Sequence, residues 1–370
     1  MSVIPEKIEI VVRVLNFIIP PVFVLFLGLQ LQAQEVHTFF SGARSLAMGG
    51  AQIAVVDDET ALLANPAALG KLRDYYGTIF DPEIDLTQNY NGIYQNGPFS
   101  NQTDPSQLSA SVNKSRNTYY HFREQLFPSF VLRNFGIGLF YRQELDMLMN
   151  NAGTSINTFY RSDMAFLLGY NFRFFDGRIK LGFTGKVIDR VEVNNPAIAY
   201  PGNFTLQNLA SEGAGVGGDV GLILTAPWTW LPTLSVVARD VGGTQFTSGK
   251  NIQMSSSTVP TAVTQDYDAA IAIFPIHANR TRSSFTLEAQ KILTSQTATD
   301  PTRYYHAGWE LNYSDSFFLR AGMNGHWWTG GIEISGQNLQ FQLTSYGQDI
   351  GQGTTLTEDR RYVVKISLRF

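Results

Sequence analysis

The 370-residue chain contains no cysteine, which excludes a disulfide framework and any thiolate metal site. Charged residues are sparse at 16% and the net charge is only −4, so the chain lacks the basic surface that a nucleic-acid partner requires. No long apolar run follows residue 29, which excludes a bundle of membrane-spanning helices. The five histidines, His37, His121, His277, His306 and His326, are scattered without metal-ligand spacing, so neither a metal nor a cofactor is expected. No G-x-S-x-G elbow occurs. The neighbouring carboxylates Asp57 and Asp58 tend to diverge rather than converge on a substrate. Gly213-Ala214-Gly215-Val216-Gly217-Gly218 has dinucleotide-motif spacing, but it leads into the strand-like Val220 to Ala226 and opens no helix. Nothing nominates an enzyme.

What is present is apolar but diluted. Apolar residues make up 44% and aromatics 13%, yet the mean hydropathy is near zero. Alternation along strands gives that combination, and the 33 glycines suit turns. Val14 to Leu29 is apolar, follows Lys7 and Arg13, and precedes a polar exit, as in a secretory signal cleaved near Ala33 or Gln34. Residues 1–34 are therefore assigned as a signal peptide. Glu6 and Glu9 weaken its basic region, and a retained anchor is the alternative. Pro20-Pro21 and a length of 16 residues oppose a stable spanning helix.

After residue 71 a period of two recurs, and fourteen strands are predicted. They fall at 72–82, 126–133, 136–145, 162–174, 178–190, 216–226, 232–240, 267–275, 281–291, 305–313, 316–325, 326–335, 338–345 and 360–370. Short connections lie near 134, 176, 228, 278, 314 and 336. Long ones are predicted at 83–125, 146–161, 191–215, 241–266, 292–302 and 346–359, with 326 the short exception on that side. An even strand number with long loops at one end predicts an all-β, fourteen-stranded antiparallel transmembrane β-barrel over 72–370. Closure would satisfy every backbone polar group in lipid. In the last strand Tyr362, Val364, Ile366, Leu368 and Phe370 share one face, opposite Arg361, Lys365, Ser367 and Arg369. An aromatic carboxy-terminus on such a strand resembles the assembly signal of Gram-negative outer-membrane barrels, with Phe370 read by the barrel assembly machinery. A soluble edge strand has the same pattern.

Residues 35–71 do not alternate. Small residues dominate, which permits close packing in a confined space. Asp57 or Asp58 is expected to cap a short helix through Leu63, and Pro66 to stop it. The stretch GARSLAMGGAQIAVVDDETALLANPAAL, with G-A-R at 42–44, M-G-G-A at 48–51, D-D at 57–58 and N-P-A at 65–67, resembles the amino-terminal hatch of the FadL-like superfamily, including its PorV/PorQ branch. The resemblance implies a hatch at 35–71 plugging the lumen, with gating at Gly49, Gly50, Asn65, Pro66 and Ala67. It also implies residence in the outer membrane of a Gram-negative bacterium, in contact with its lipid and with long loops extracellular. The implied function is transport of long-chain fatty acids or other hydrophobic small molecules. Phe80, Tyr90, Tyr94, Phe99, Ile198, Tyr200 and Phe204 are candidates to line the ligand groove, because apolar pockets take apolar ligands. The alternative is a PorV-like carrier or scaffold for secreted or surface proteins in type IX secretion.

Overall fold

The computed structural model describes residues 35–89, 105–202, 204–248, 252–254, 256–278, 280–351 and 354–370. The assigned signal peptide and the groove candidates Tyr90, Tyr94 and Phe99 lie outside the described residues.

One antiparallel sheet closes on itself as a fourteen-stranded barrel. β1 is broken into Tyr76–Phe80 and Glu83–Thr87, and β2 into Tyr119–Leu126 and Ser129–Leu132. Then follow β3 (Phe135–Met149), β4 (Ser155–Phe174), β5 (Ile179–Ala199) and β6 (Ser211–Thr225). β7 (Thr233–Arg239) resumes at Phe246–Thr247, and β8 (Asp266–Ile273) at Ile276–Ala278. The wall is completed by β9 (Thr281–Ala289), β10 (Tyr305–Tyr313), β11 (Phe317–Asn324), β12 (Trp327–Ser335), β13 (Leu339–Asp349) and β14 (Glu358–Arg369). β14 pairs with β1 to shut the cylinder, Thr78 opposite Arg369 and Leu86 opposite Tyr362.

The breaks in β1 and β2 fall at Pro82 and Pro128, which cannot donate to a ladder. Asp81 Oδ1 accepts from the Phe127 amide at 2.6 Å and so bridges the two breaks.

Alternation sorts the side chains as the sequence predicts. On β4, Met164, Phe166, Leu168, Tyr170, Phe172 and Phe174 face outward and are exposed, whereas Ala165 and Leu167 are buried inside. On β14, Tyr362, Val364, Ile366 and Leu368 are exposed, while Arg361, Val363, Lys365 and Ser367 are buried. An outward band of aromatic and aliphatic side chains around a polar interior is the surface of a barrel solvated by lipid.

Four predicted long connections are shorter than expected, because the strands run on. β1 continues to Thr87 and β2 starts at Tyr119, inside the predicted 83–125 loop. Connections at 146–161, 191–215 and 346–359 shrink to 150–154, 200–210 and 350–357. On β3 and β4 the extra height is hidden because outward positions there are covered too. Leu145, Met147 and Met149 keep the outward register of Leu139, and Ile156 and Tyr160 that of Phe166, yet all are buried. They form a second apolar cluster outside the barrel with Leu108 and Val112 of the helix α3 (Pro105–Lys114) and with Phe204 and Ala210. A strand buried on both faces loses its period of two.

Candidate functional site in the barrel interior

Ahead of the barrel stand two short helices, α1 (Ala43–Ala47) and α2 (Ala61–Ala64), and a 3-10 helix at Pro66–Lys71. Their contacts run to inward-facing strand residues. Thr344 Oγ1 donates to the Ala43 carbonyl and Thr329 Oγ1 to the Ala47 carbonyl, both at 2.9 Å. Thr184 Oγ1 donates to Leu62 O at 3.1 Å and Arg239 Nη1 to Leu63 O at 2.9 Å. Helices this short leave most of their carbonyls without an internal partner, and the wall supplies donors. In the other direction, Glu288 Oε2 accepts the amides of Gln52 (2.6 Å) and Ile53 (2.9 Å).

Asn65 joins three elements. Its Nδ2 donates to Ile53 O and to Ser235 Oγ of β7, both at 2.8 Å, while Oδ1 accepts from Ala67 N at 3.0 Å. Pro66 does more than stop α2. It opens the 3-10 helix at the position where a missing N–H is harmless, with Asn65 as its cap. Asp58 bonds Thr60 N at 2.9 Å, but Thr60 itself stands at the N-cap of α2, a shift from the expected cap.

The segment and the wall meet backbone to backbone. A Cβ on Gly182 would fall 2.1 Å from the Pro66 carbonyl carbon, and one on Gly221 2.0 Å from Asn65 Oδ1. Gly49 (φ 71°) and Gly50 (φ 94°) occupy the left-handed region. A Cβ on Gly49 would lie 2.4 Å from Met323 O, and one on Gly50 2.8 Å from the His306 ring. His306 Nδ1 lies 2.6 Å from Gly49 O. The five residues assigned to gating therefore sit in two separate contacts. Gly49 and Gly50 lie against β10 and β11, and Asn65, Pro66 and Ala67 against β4 to β7.

Ion pairs fasten the same segment, and the sequence reading gave them no role. Arg44 Nη1 reaches Asp57 (2.7 Å) and Asp58 (2.8 Å), and its Nη2 and Nε reach Glu310 at 3.0 Å. Glu310 is shared with Arg320 at 2.7 Å. The arginine of G-A-R thus binds both carboxylates of D-D. Burial disfavours charge on Asp58, but Arg44 beside it holds its carboxyl well below the usual range. Arg361 chelates Glu35 at 2.7 and 2.6 Å, and against the penalty of burial keeps that carboxyl down at about 2.

Two interior regions differ in chemistry. Leu62, Leu63, Leu69 and Leu72 of the segment pack with Phe127, Phe140 and Leu167 of the wall in an apolar cluster beside the proline breaks. Toward the long-connection end lies a cavity of about 240 Å³, lined by cations such as Arg142, Arg161, Lys186 and Arg239, by Glu144, Asp219 and Asp268, and by Phe39, Phe40 and Ile188.

Of the described groove candidates, none joins this interior apolar cluster. Tyr200 and Phe204 pack on one another, centroids 5.9 Å apart, and with Ile198 belong to the cluster outside the barrel. Phe80 faces outward, exposed, at the opposite end. Phe370 pairs with Gly77 through both backbone groups, and its ring stands where a Cβ of Gly77 would be.

No protein-family profile and no curated protein matches the chain. Solved structures do. The CymD monoaromatic hydrocarbon channel is similar over 89% of this chain and 96% of its own, at 12% identity and a TM-score of 0.53. The Pseudomonas putida toluene transporter TodX is similar over 91% and 99%, at 12% identity and a TM-score of 0.50. A Pseudomonas aeruginosa FadL homologue matches with a TM-score of 0.46 at 10% identity, over 91% of this chain and 99% of its own. The chain shares the barrel fold of the CymD and TodX channels.

Proposed function

We propose that this protein is an outer-membrane channel for hydrophobic small molecules, with residues 35–71 as a hatch inside the barrel and the longer connections extracellular. The carrying observation is an apolar cluster inside the barrel beside a cavity lined by many charged residues. Phe127 and Phe140 face Leu62 and Leu69 there, so displacement of the hatch segment would uncover an apolar surface. The neighbouring cavity adds arginine and lysine side chains, paired with carboxylates, against which a polar head could rest. An apolar tail joined to an anionic head describes a long-chain fatty acid, and the solved neighbours whose names mention toluene or monoaromatic hydrocarbons make aromatics the competing ligand class.

A second reading, as a carrier or scaffold for secreted proteins, is favoured by one observation. The cavity of about 240 Å³ is lined by many charged residues, several of them paired with one another, such as Lys186 with Asp219. Uptake of a labelled long-chain fatty acid and of toluene, in cells lacking their own importers, separates the readings. The channel reading expects fatty-acid uptake above empty-vector cells. Folded barrel with no uptake of either probe, co-purifying with a secreted protein, would favour the carrier.

A further inference from the structure

Near the long-connection end of the interior, two residues of the amino-terminal segment meet two of the wall. Glu35, His37, Glu144 and Asp146 each place one donor atom within 4.8 Å of the other three. His37 lies between two wall carboxylates, Nδ1 at 3.6 Å from Glu144 Oε1 and Nε2 at 3.9 Å from Asp146 Oδ2. Its ring is fixed by stacking on Phe159, with centroids 3.7 Å apart and planes 8° apart. Glu144 and Asp146 are 2% and 3% exposed.

Hydrogen bonding leaves donor atoms free in the middle. His121 Nδ1 takes Asp146 Oδ1 at 2.6 Å, and Asp146 Oδ2 has no hydrogen-bond partner among the described residues. Arg142 and Arg161 take Glu144 Oε2 at 2.7 and 3.1 Å, which leaves Oε1 turned toward His37. His37 Nδ1 is buried and also without a partner. Carboxylates held from behind, with one lone pair turned inward, are how outer partners orient metal ligands.

We propose that Glu35, His37, Glu144 and Asp146 form a binding site for a divalent first-row transition metal such as zinc, which ties the amino-terminal segment to β3. One imidazole and three carboxylates suit zinc or manganese, and with no thiolate they do not suit copper(I). Zinc bonds of about 2.0–2.2 Å require the four side chains to draw inward from their present spacing. Glu35 is also held by Arg361 at 2.7 and 2.6 Å, so it must offer the metal a second lone pair or give up part of that ion pair. The other acid–histidine group, Asp300, His326 and Asp349, is a poorer candidate because it offers three residues rather than four and only one of them is buried. The site does not depend on what the barrel carries.

The test uses the whole folded protein in detergent, stripped with chelator and titrated with Zn²⁺ or Co²⁺. The expected result is one equivalent bound, and an X-ray absorption spectrum of one imidazole with the remaining ligands oxygen. His37→Ala and Asp146→Asn should reduce binding from about one equivalent to about none, while His326→Ala leaves it unchanged. His121→Phe should weaken affinity roughly 10–100-fold through the outer hydrogen bond. No metal bound by the wild type overturns the proposal, as does loss of binding in His326→Ala with retention in His37→Ala. The absorption spectrum needs no variant to fold, and two or more imidazoles in it would also overturn the assignment.

Discussion

Leu168 stands on the outward face of β4, 48% exposed, between Ile137 on β3 and Gly185 on β5. It is six residues from Phe174, the last of that strand and 46% exposed. Six residues at about 3.3 Å span roughly 20 Å along a strand, or about 15 Å along the normal at a 40° tilt. The apolar band of such barrels is about 25 Å tall, so Leu168 falls near its middle if Phe174 marks the edge. Leu168→Arg should therefore destabilise the barrel by about 2–4 kcal/mol, and Phe174→Arg by about 0–1 kcal/mol. Reversible denaturant unfolding in phospholipid vesicles, followed by tryptophan emission and gel mobility, measures both. Exposed positions of a water-soluble sheet would both change by only about 0.5 kcal/mol. A Leu168→Arg cost no larger than that of Phe174→Arg would refute the lipid-facing assignment.

Deletion of Phe370 removes the two backbone bonds to Gly77, at 3.0 and 3.2 Å, that extend the β14–β1 seam, and should lower the heat-modifiable folded fraction recovered from outer membranes. Asn65→Leu loses bonds to Ile53, Ser235 and Ala67 and crowds Gly221, so it should loosen the segment. Protease sensitivity of residues 35–72 should rise while the barrel still migrates as folded, and unchanged sensitivity would show that Asn65 does not seat it. Gly49→Ala places a methyl against the Met323 backbone in a left-handed conformation and should reduce folded yield more than Gly243→Ala, where φ is also positive but the nearest atom is 3.4 Å away.

The wall was legible where one face meets lipid and the other the interior. Tyr305 to Tyr313 and Phe317 to Asn324 match their expected strands almost residue for residue. Legibility failed where that asymmetry fails. Met147 and Ile156 face outward under other chain segments, so the upper ends of β3 and β4 read as loops. Glu83 to Thr87 does alternate, with Ile84 and Leu86 outward, but it is five residues long and follows a proline break. In the interior, local chemistry marked Pro66 as a helix stop, whereas Asn65-Pro66-Ala67 stood out as a unit only through the resemblance. Arg44 and Glu310 are 266 residues apart, and nothing local reports that pairing. His37 likewise meets Glu144 and Asp146, both on β3, from far along the chain, and no local spacing reports that juxtaposition.

The amino-terminal segment shows why small residues and buried charges belong together here. Where Gly182, Gly221, Gly308 and Gly322 line the wall, the chains approach too closely for side chains to interlock. The contact therefore relies on hydrogen bonds from Thr184, Thr329, Thr344 and Ser235, and on Arg44, Arg361 and Arg369 paired with Glu310, Glu35 and Glu59. A polar bond exchanged for water contributes about 0.5–1.5 kcal/mol net, whereas uncovering one large apolar side chain costs about 1.5–3 kcal/mol. Buried ion pairs add register more dependably than stability, because desolvation offsets much of their attraction. A segment fixed this way is placed by many specific partners, each weak once water can replace it. The largest apolar contact joins Leu62, Leu63, Leu69 and Leu72 to Phe127 and Phe140, and a smaller one joins Met48, Ile53 and Val55 to Val237, Ala270 and Ala272. Release of the segment would thus uncover apolar surface as well as break polar bonds, and an apolar ligand able to cover Phe127 and Phe140 in its place would offset part of that cost.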